Sequence, residues 1–109
     1  MSDPVDKVYV LVRGDLPMGS QLAQAIHAQD EFRSLHPEVH EEWRRTSNTI
    51  VVLHLRDEDH LHDLHQKAAT RDIPCAVFRE PDLEDAATCL VLGPTPYTRR
   101  LTARLPLAG

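Results

Sequence analysis

Four short aliphatic runs, each closed by turn-forming residues, set the pattern of the chain. The first, Lys7-Val8-Tyr9-Val10-Leu11-Val12-Arg13, is apolar on consecutive residues and ends at Gly14-Asp15, which predicts a buried strand entering a turn. After Pro17-Met18-Gly19 the period lengthens. With Ser20 as the expected cap, Ala25, Ala28, Phe32 and Leu35 recur at helical spacing and predict a helix running to about His36. Pro37 would break a helix passing through it but is tolerated at a first helical position, so a second short helix carrying Val39 and Trp43 follows. Thr46-Ser47-Asn48 is a polar break, and residues 49–55 form a second aliphatic strand. Asp57 then caps a helix with Leu61, Leu64, Ala68 and Ala69 on one face.

Residues 74–79 read as a third strand, Glu80-Pro81-Asp82-Leu83-Glu84-Asp85 as an acidic connector, and residues 87–92 as a fourth strand stopped by Gly93-Pro94. A last helix is expected over Tyr97 to Leu105. A strand that is apolar on consecutive residues needs shelter on each side. Four of them interleaved with helices therefore predict an α/β sheet covered on both faces, as one domain over residues 1–109.

Composition agrees with that picture. Hydrophobic residues make up 41% and charged ones 27% of 109 residues, near globular averages, which excludes wholesale disorder and a coiled coil. The longest apolar runs, such as Ile50 to Leu53, fall far short of the roughly 20 residues that cross a bilayer. The start, Met1-Ser2-Asp3-Pro4, has neither the basic flank nor the apolar stretch of a secretory signal, so a cytoplasmic location is expected. Cys75 and Cys89 sit in apolar stretches and are expected to pack as small hydrophobes without a disulfide.

Twelve basic against 17 acidic side chains give a net charge of −5, which argues against a protein that coats nucleic acid nonspecifically. The distribution changes that reading locally. From Ala86 to Gly109 there is no acid, only Arg99, Arg100 and Arg104, so this region can face an anion.

The most informative stretch is Arg13-Gly14-Asp15-Leu16-Pro17-Met18-Gly19, followed by Gln24-Ala25-Ile26-His27-Ala28. It resembles the type II peptidyl-tRNA hydrolases, which carry an R-x-D-L-x-M-G turn after the first strand and Q-x-x-H-A on the next helix. Thr88 to Leu92 with Gly93-Pro94 looks like that family's final strand. Ala87-Thr88-Cys89-Leu90 after Glu80-Pro81 is especially similar to its divergent peptidyl-tRNA hydrolase domain-containing members. The resemblance implies a three-layer α/β/α sandwich around a mixed four-stranded sheet in order 2-1-4-3, with strand 4 antiparallel. It also implies an esterase that cleaves the bond between a peptide, or N-blocked amino acid, and the 3′ end of tRNA. No cofactor and no membrane enter this reading, and a homodimer is compatible with it.

The departures from the family pattern are local. A G-K-G-K run that typical members carry after the M-G turn is replaced by Met18-Gly19-Ser20-Gln21-Leu22, without lysine. The D-A-G-x-T loop is replaced by Arg79-Glu80-Pro81-Asp82-Leu83, where Glu80 is the nearest acidic counterpart and Asp82 the next.

Ester hydrolysis needs a group that activates water and donors for the developing oxyanion. Gln24 and His27 lie at i and i+3 on one helical face. A free imidazole titrates near neutrality, which makes His27 the acid/base candidate. Gln24 and Thr88 are expected to orient water or substrate, and Glu80 to supply the carboxylate. His27 equally fits a helix histidine bonded to a carbonyl. Arg13, Asp15, Met18, Gly19 and Ser20 are substrate-binding candidates from the turn motif, although aspartate commonly stabilises turns through its own backbone and Asp15 is better read that way. Arg100 and Arg104, at i and i+4 on the expected last helix, are candidates for phosphate contacts that replace the lysines. His60, His62 and His65 suggest a metal cluster, but the apolar stripe through Leu61 and Leu64 assigns them to a solvated face, and no metal is expected. Two rival readings remain on the same fold: a noncatalytic RNA-end or small-ligand binder, and a hydrolase of another acyl substrate.

Overall fold

The computed structural model describes residues 6–108, so Met1-Ser2-Asp3-Pro4 and the terminal Gly109 lie outside the described residues. The elements follow in the order β1 (Lys7–Arg13), α1 (Met18–Leu35), α2 (Pro37–Thr46), β2 (Thr49–Leu55), α3 (Glu58–Thr70), β3 (Cys75–Glu80), a 3-10 turn (Pro81–Leu83), β4 (Ala86–Leu92) and α4 (Thr98–Thr102). The sheet order is β2-β1-β4-β3. β1 and β2 run parallel, with Val10 opposite Val52, while β4 is antiparallel to both of its neighbours, with Leu11 opposite Leu90 and Ala76 opposite Val91.

Each strand is apolar on both faces because each face has its own core. Tyr9, Leu11, Leu53, Leu55, Leu90 and Leu92 pack with Leu61, Leu64 and Ala68 of α3. Val8, Val10, Val12, Cys89 and Val91 pack with Ala28 and Phe32 of α1 and Trp43 of α2. Asp57 caps α3 as expected, accepting a hydrogen bond from the His60 backbone N–H at 2.9 Å. Gly93 lets the end of β4 pass α1 closely, since a Cβ there would stand 3.0 Å from Phe32 Cζ.

Several expectations are corrected. α1 opens at Met18, with Pro17 at the cap position and no side-chain cap, so Ser20 lies inside the first turn. Leu35 is exposed and Ala25 only half-buried, while Gln21 and Gln24 are buried because polar partners await them across the interface. Ala69 of α3 is exposed. α4 stops at Thr102, because Pro106 disfavours helical backbone before it and the chain leaves to pair with β2. His54 N–H donates to Pro106 O at 2.9 Å and Ala108 N–H to Val52 O at 3.0 Å, with Leu53 bridging Leu107. Arg104 therefore lies in a turn and does not share a helical face with Arg100. Both cysteines are free thiols, and burial pushes the Cys89 thiol up to about 12. Among the described residues no helix is long and apolar enough to cross a membrane.

Candidate active site

An irregularity in the sheet shapes the candidate site. Phe78 pairs with Cys89 and Arg79 with Ala87, which leaves Thr88 as an extra residue in β4. Strict alternation from Leu90 and Leu92 would send Thr88 to the α3 face. The bulge re-aims it toward α1 instead. There the fully buried Thr88 Oγ1 donates to Gln24 Oε1 at 2.7 Å, with the Phe78 carbonyl 3.3 Å away. Gln24 Nε2 in turn donates to Glu80 Oε1 at 2.8 Å, and the Asp82 backbone N–H to Glu80 Oε2 at 3.3 Å. The hydrogen bond from Gln24, followed by that from Asp82, holds the Glu80 carboxyl below the usual glutamate value, with His27 adding an attraction.

A hydroxyl that donates to an amide oxygen leaves the amide nitrogen to face Glu80, so the chain of bonds has one direction. Gln24 and Thr88 are nearly or wholly buried. Their polar atoms are spent on each other and on Glu80: Thr88 Oγ1 bonds Gln24, and Gln24 Nε2 bonds Glu80. Of the two acidic candidates, the Glu80 carboxylate joins this chain of bonds, whereas Asp82 reaches it through its backbone N–H. His27, one helical turn after Gln24, is exposed and lies stacked on Phe78, with ring centroids 4.8 Å apart and planes 16° from parallel.

The remaining candidates lie elsewhere. The Arg13 guanidinium grips both carboxylate oxygens of Asp15, at 3.0 and 2.7 Å, and donates to Ala87 O at 3.2 Å. The hydrogen bond from Arg13 lowers the Asp15 carboxyl. This pair ties the turn after β1 to the start of β4, where Glu58 also accepts from Ala87 N–H at 2.8 Å. Met18 and Gly19 are exposed and Ser20 half-buried on the first turn of α1. Arg99 and Arg100 are exposed on α4, which follows the C-terminal end of β4, whereas Thr88 lies near the start of that strand.

His60, His62 and His65 are half-buried rather than fully solvated. His60 Nδ1 accepts from Arg56 N–H, and His62 lies 3.5 Å from Glu58. Among the described residues no three metal-ligating side chains converge.

Two features go beyond the sequence-based expectations. Phe78 faces the site, a placement foreshadowed by its i, i+2 spacing from Glu80 on one strand. Gln21 braces the turn from within α1: its Nε2 donates to Leu16 O at 2.7 Å and its Oε1 lies 2.7 Å from His54 Nε2. A glutamine three residues before Gln24 was the available signal.

Comparison with known proteins identifies the family and the fold. The profile of the family described as peptidyl-tRNA hydrolase PTH2 matches residues 6–107. A protein named peptidyl-tRNA hydrolase from Methanopyrus kandleri is 34% identical over 114 residues, covering 93% of this chain and 97% of its own length. Another of the same name from Methanocaldococcus jannaschii is 32% identical over 98 residues, covering 81% and 85%. A solved structure of a protein of unknown function from Agrobacterium tumefaciens superimposes with a TM-score of 0.71 at 16% identity, over 98% of this chain and 100% of that one, a likeness of fold.

Proposed function

Because the chain belongs to the peptidyl-tRNA hydrolase PTH2 family, we propose that it hydrolyses the ester joining a peptide to the 3′ end of tRNA, with Glu80 and His27 as its working groups. The observation that carries this reading is the one-way chain Thr88–Gln24–Glu80, which ends in a fixed carboxylate near an exposed imidazole. A carboxylate held ionised is a weak base but a good acceptor. Glu80 thus orients the attacking water and offsets the positive charge that develops beside it, while the edge of His27 takes the water's proton as the oxygen bonds to the ester carbon. The same proton passes to the 3′ oxygen of the ribose as the carbon–oxygen bond breaks. The step uses side chains and water.

Gly19 and Ser20, on the first turn of α1, lie on the approach to Gln24 and His27, whereas Met18 faces the other side of the helix, and Arg100 and Arg104 offer phosphate contacts farther along the RNA. Arg13 and Asp15 shape the turn. We assign the activity to the cytoplasm, where translation supplies the substrate. A second copy would meet the exposed stripe Met18, Leu22 and Ile26 with Ile50, which borders a groove of about 360 Å³. That patch is of order 400 Å², about half of the ~800 Å² per partner in a stable interface. Sedimentation velocity of Leu22→Glu against wild type tests it.

The lysine-free opening of α1 favours a second reading, a binder that keeps the RNA-end pocket without turnover. Incubating the protein with N-blocked aminoacyl-tRNA and following free tRNA separates the two. We expect release, and a rate lowered about 10²-fold or more by Glu80→Gln or His27→Gln. Binding without release supports the binder.

A further inference from the structure

The His27 ring is held unusually for an exposed histidine. Its lower face rests on Phe78, offset and nearly parallel at 4.8 Å and 16°, and Phe78 is itself packed against the core beneath α1. Among the described residues neither imidazole nitrogen has a hydrogen-bond partner. The ring's orientation thus comes from stacking, and its outer face is open to solvent. The Glu80 carboxylate, fixed by Gln24 and by the Asp82 backbone, stands near the same ring. A flat, pre-oriented aromatic face beside an ester-cleaving carboxylate suits a second flat ring. In the substrate proposed above, the ring joined to the ester-bearing sugar is the terminal nucleobase.

We propose that the outer face of His27, backed by Phe78, is a stacking platform for the nucleobase at the acylated 3′ end, which sets the ribose and its ester over Glu80. This rests on the hydrolase reading and adds a positioning role to the imidazole: its edge handles the proton and its face receives the base. Stacking of this kind tolerates any base, so recognition is of a terminal nucleotide rather than a sequence. The ring already lies parallel to Phe78 before the RNA arrives, which reduces the ordering required on binding.

Face and edge separate by substitution, and His27 is exposed, so its variants should fold. His27→Phe keeps a stacking face and loses the nitrogens; His27→Ala loses both. The probes are a fluorescent RNA hexamer ending in adenosine and the same hexamer with an abasic 3′ nucleotide, measured by anisotropy alongside hydrolysis of N-blocked aminoacyl-tRNA.

Wild type and His27→Phe should bind the intact hexamer alike, and His27→Ala roughly 10-fold or more weaker. All three should bind the abasic hexamer equally and at the weaker level. In hydrolysis His27→Phe should lower kcat at an unchanged KM, while His27→Ala should also raise KM. Equal binding of the intact hexamer by wild type and His27→Ala, no weakening on removing the base, or no binding by wild type overturns the platform. Base-dependent binding by a wild type that releases no tRNA leaves the platform standing and removes the hydrolase reading instead.

Discussion

Thr88→Val tests the buried hydrogen-bond chain with little change of shape. Valine matches threonine in volume, so no cavity opens and the β-bulge keeps a β-branched residue. What disappears is the donor 2.7 Å from Gln24 Oε1. Gln24 is 4% exposed and Thr88 fully buried, so water does not replace the missing donor. A buried acceptor left without a partner costs about 1–3 kcal/mol. Against a total stability of roughly 5–15 kcal/mol that penalty is readily measured, and it corresponds to a fall in Tm of roughly 4–12 °C for a domain of this size.

Urea denaturation followed by far-UV circular dichroism should show a lower midpoint at an unchanged slope. Thr88→Ser, which keeps the hydroxyl, should retain the Gln24 bond and give up only about 0.8 kcal/mol for the missing methyl. Coupling identifies the cause. In a Gln24→Leu background only the longer contact to the Phe78 carbonyl at 3.3 Å remains, so Thr88→Val should cost clearly less there. The freed amide in the single variant should also let the Glu80 carboxyl rise toward its ordinary value in a carbon-detected NMR titration. A Thr88→Val protein as stable as wild type refutes the directed chain. So does an equal destabilisation in the wild-type and Gln24→Leu backgrounds, because the shorter bond to Gln24 cannot be removed where its acceptor is already missing and only the longer Phe78 contact is left.

Four further outcomes are expected. Gly93→Ala should destabilise by about 1–3 kcal/mol, because the new Cβ meets Phe32 Cζ at 3.0 Å in a packed core, and a thermal melt matching wild type would contradict it. Asp57→Ala should cost about 1 kcal/mol through removal of the α3 cap and Asp57→Asn much less, as read by urea midpoints. The folded Glu80 carboxyl lies below its unfolded value, so its stabilisation is present above the ordinary glutamate pKa of about 4.3 and is lost as pH falls through the lower folded value. Glu80→Gln should therefore flatten the acid limb of stability against pH, and an unchanged limb would count against the Gln24 bond. Arg100→Gln with Arg104→Gln should weaken tRNA binding and reduce its salt dependence by about 0.9 log unit for each phosphate no longer neutralised, whereas superimposable titrations would show that these arginines do not serve RNA.

Much of the fold was legible because the strands are apolar on both faces, and such runs stand out wherever turns bound them. The Asp57 cap and Pro37 at a helix start were legible for local reasons of the same kind. The family resemblance supplied the strand order, which periodicity does not contain. The direction in which Thr88 points was not legible: alternation assigns it to the face of Leu90 and Leu92, and only the pairing of β3 with β4 reveals the extra residue. Gln21 and Gln24 were hidden by their polarity, since a buried amide is recognisable only once its partners are in place. The early end of α4 follows from the pairing of Pro106 and Ala108 with β2, a meeting of distant parts of the chain.

The strand order also governs when the domain can assemble. β4, the last of the sheet's four strands to be made, occupies the position between β1 and β3 and supplies both antiparallel ladders, so Tyr9 waits for Leu92, 83 residues later. Until Ala86–Leu92 is available, β1 has only β2 beside it, β3 has no strand neighbour, and each core lacks its central residues. Closing pairs so far apart in sequence before local contacts can compensate slows folding. During synthesis the edges of β1 and β3 that β4 will pair stay open until Leu92 has been made, which is the interval in which chaperone capture or aggregation competes with folding.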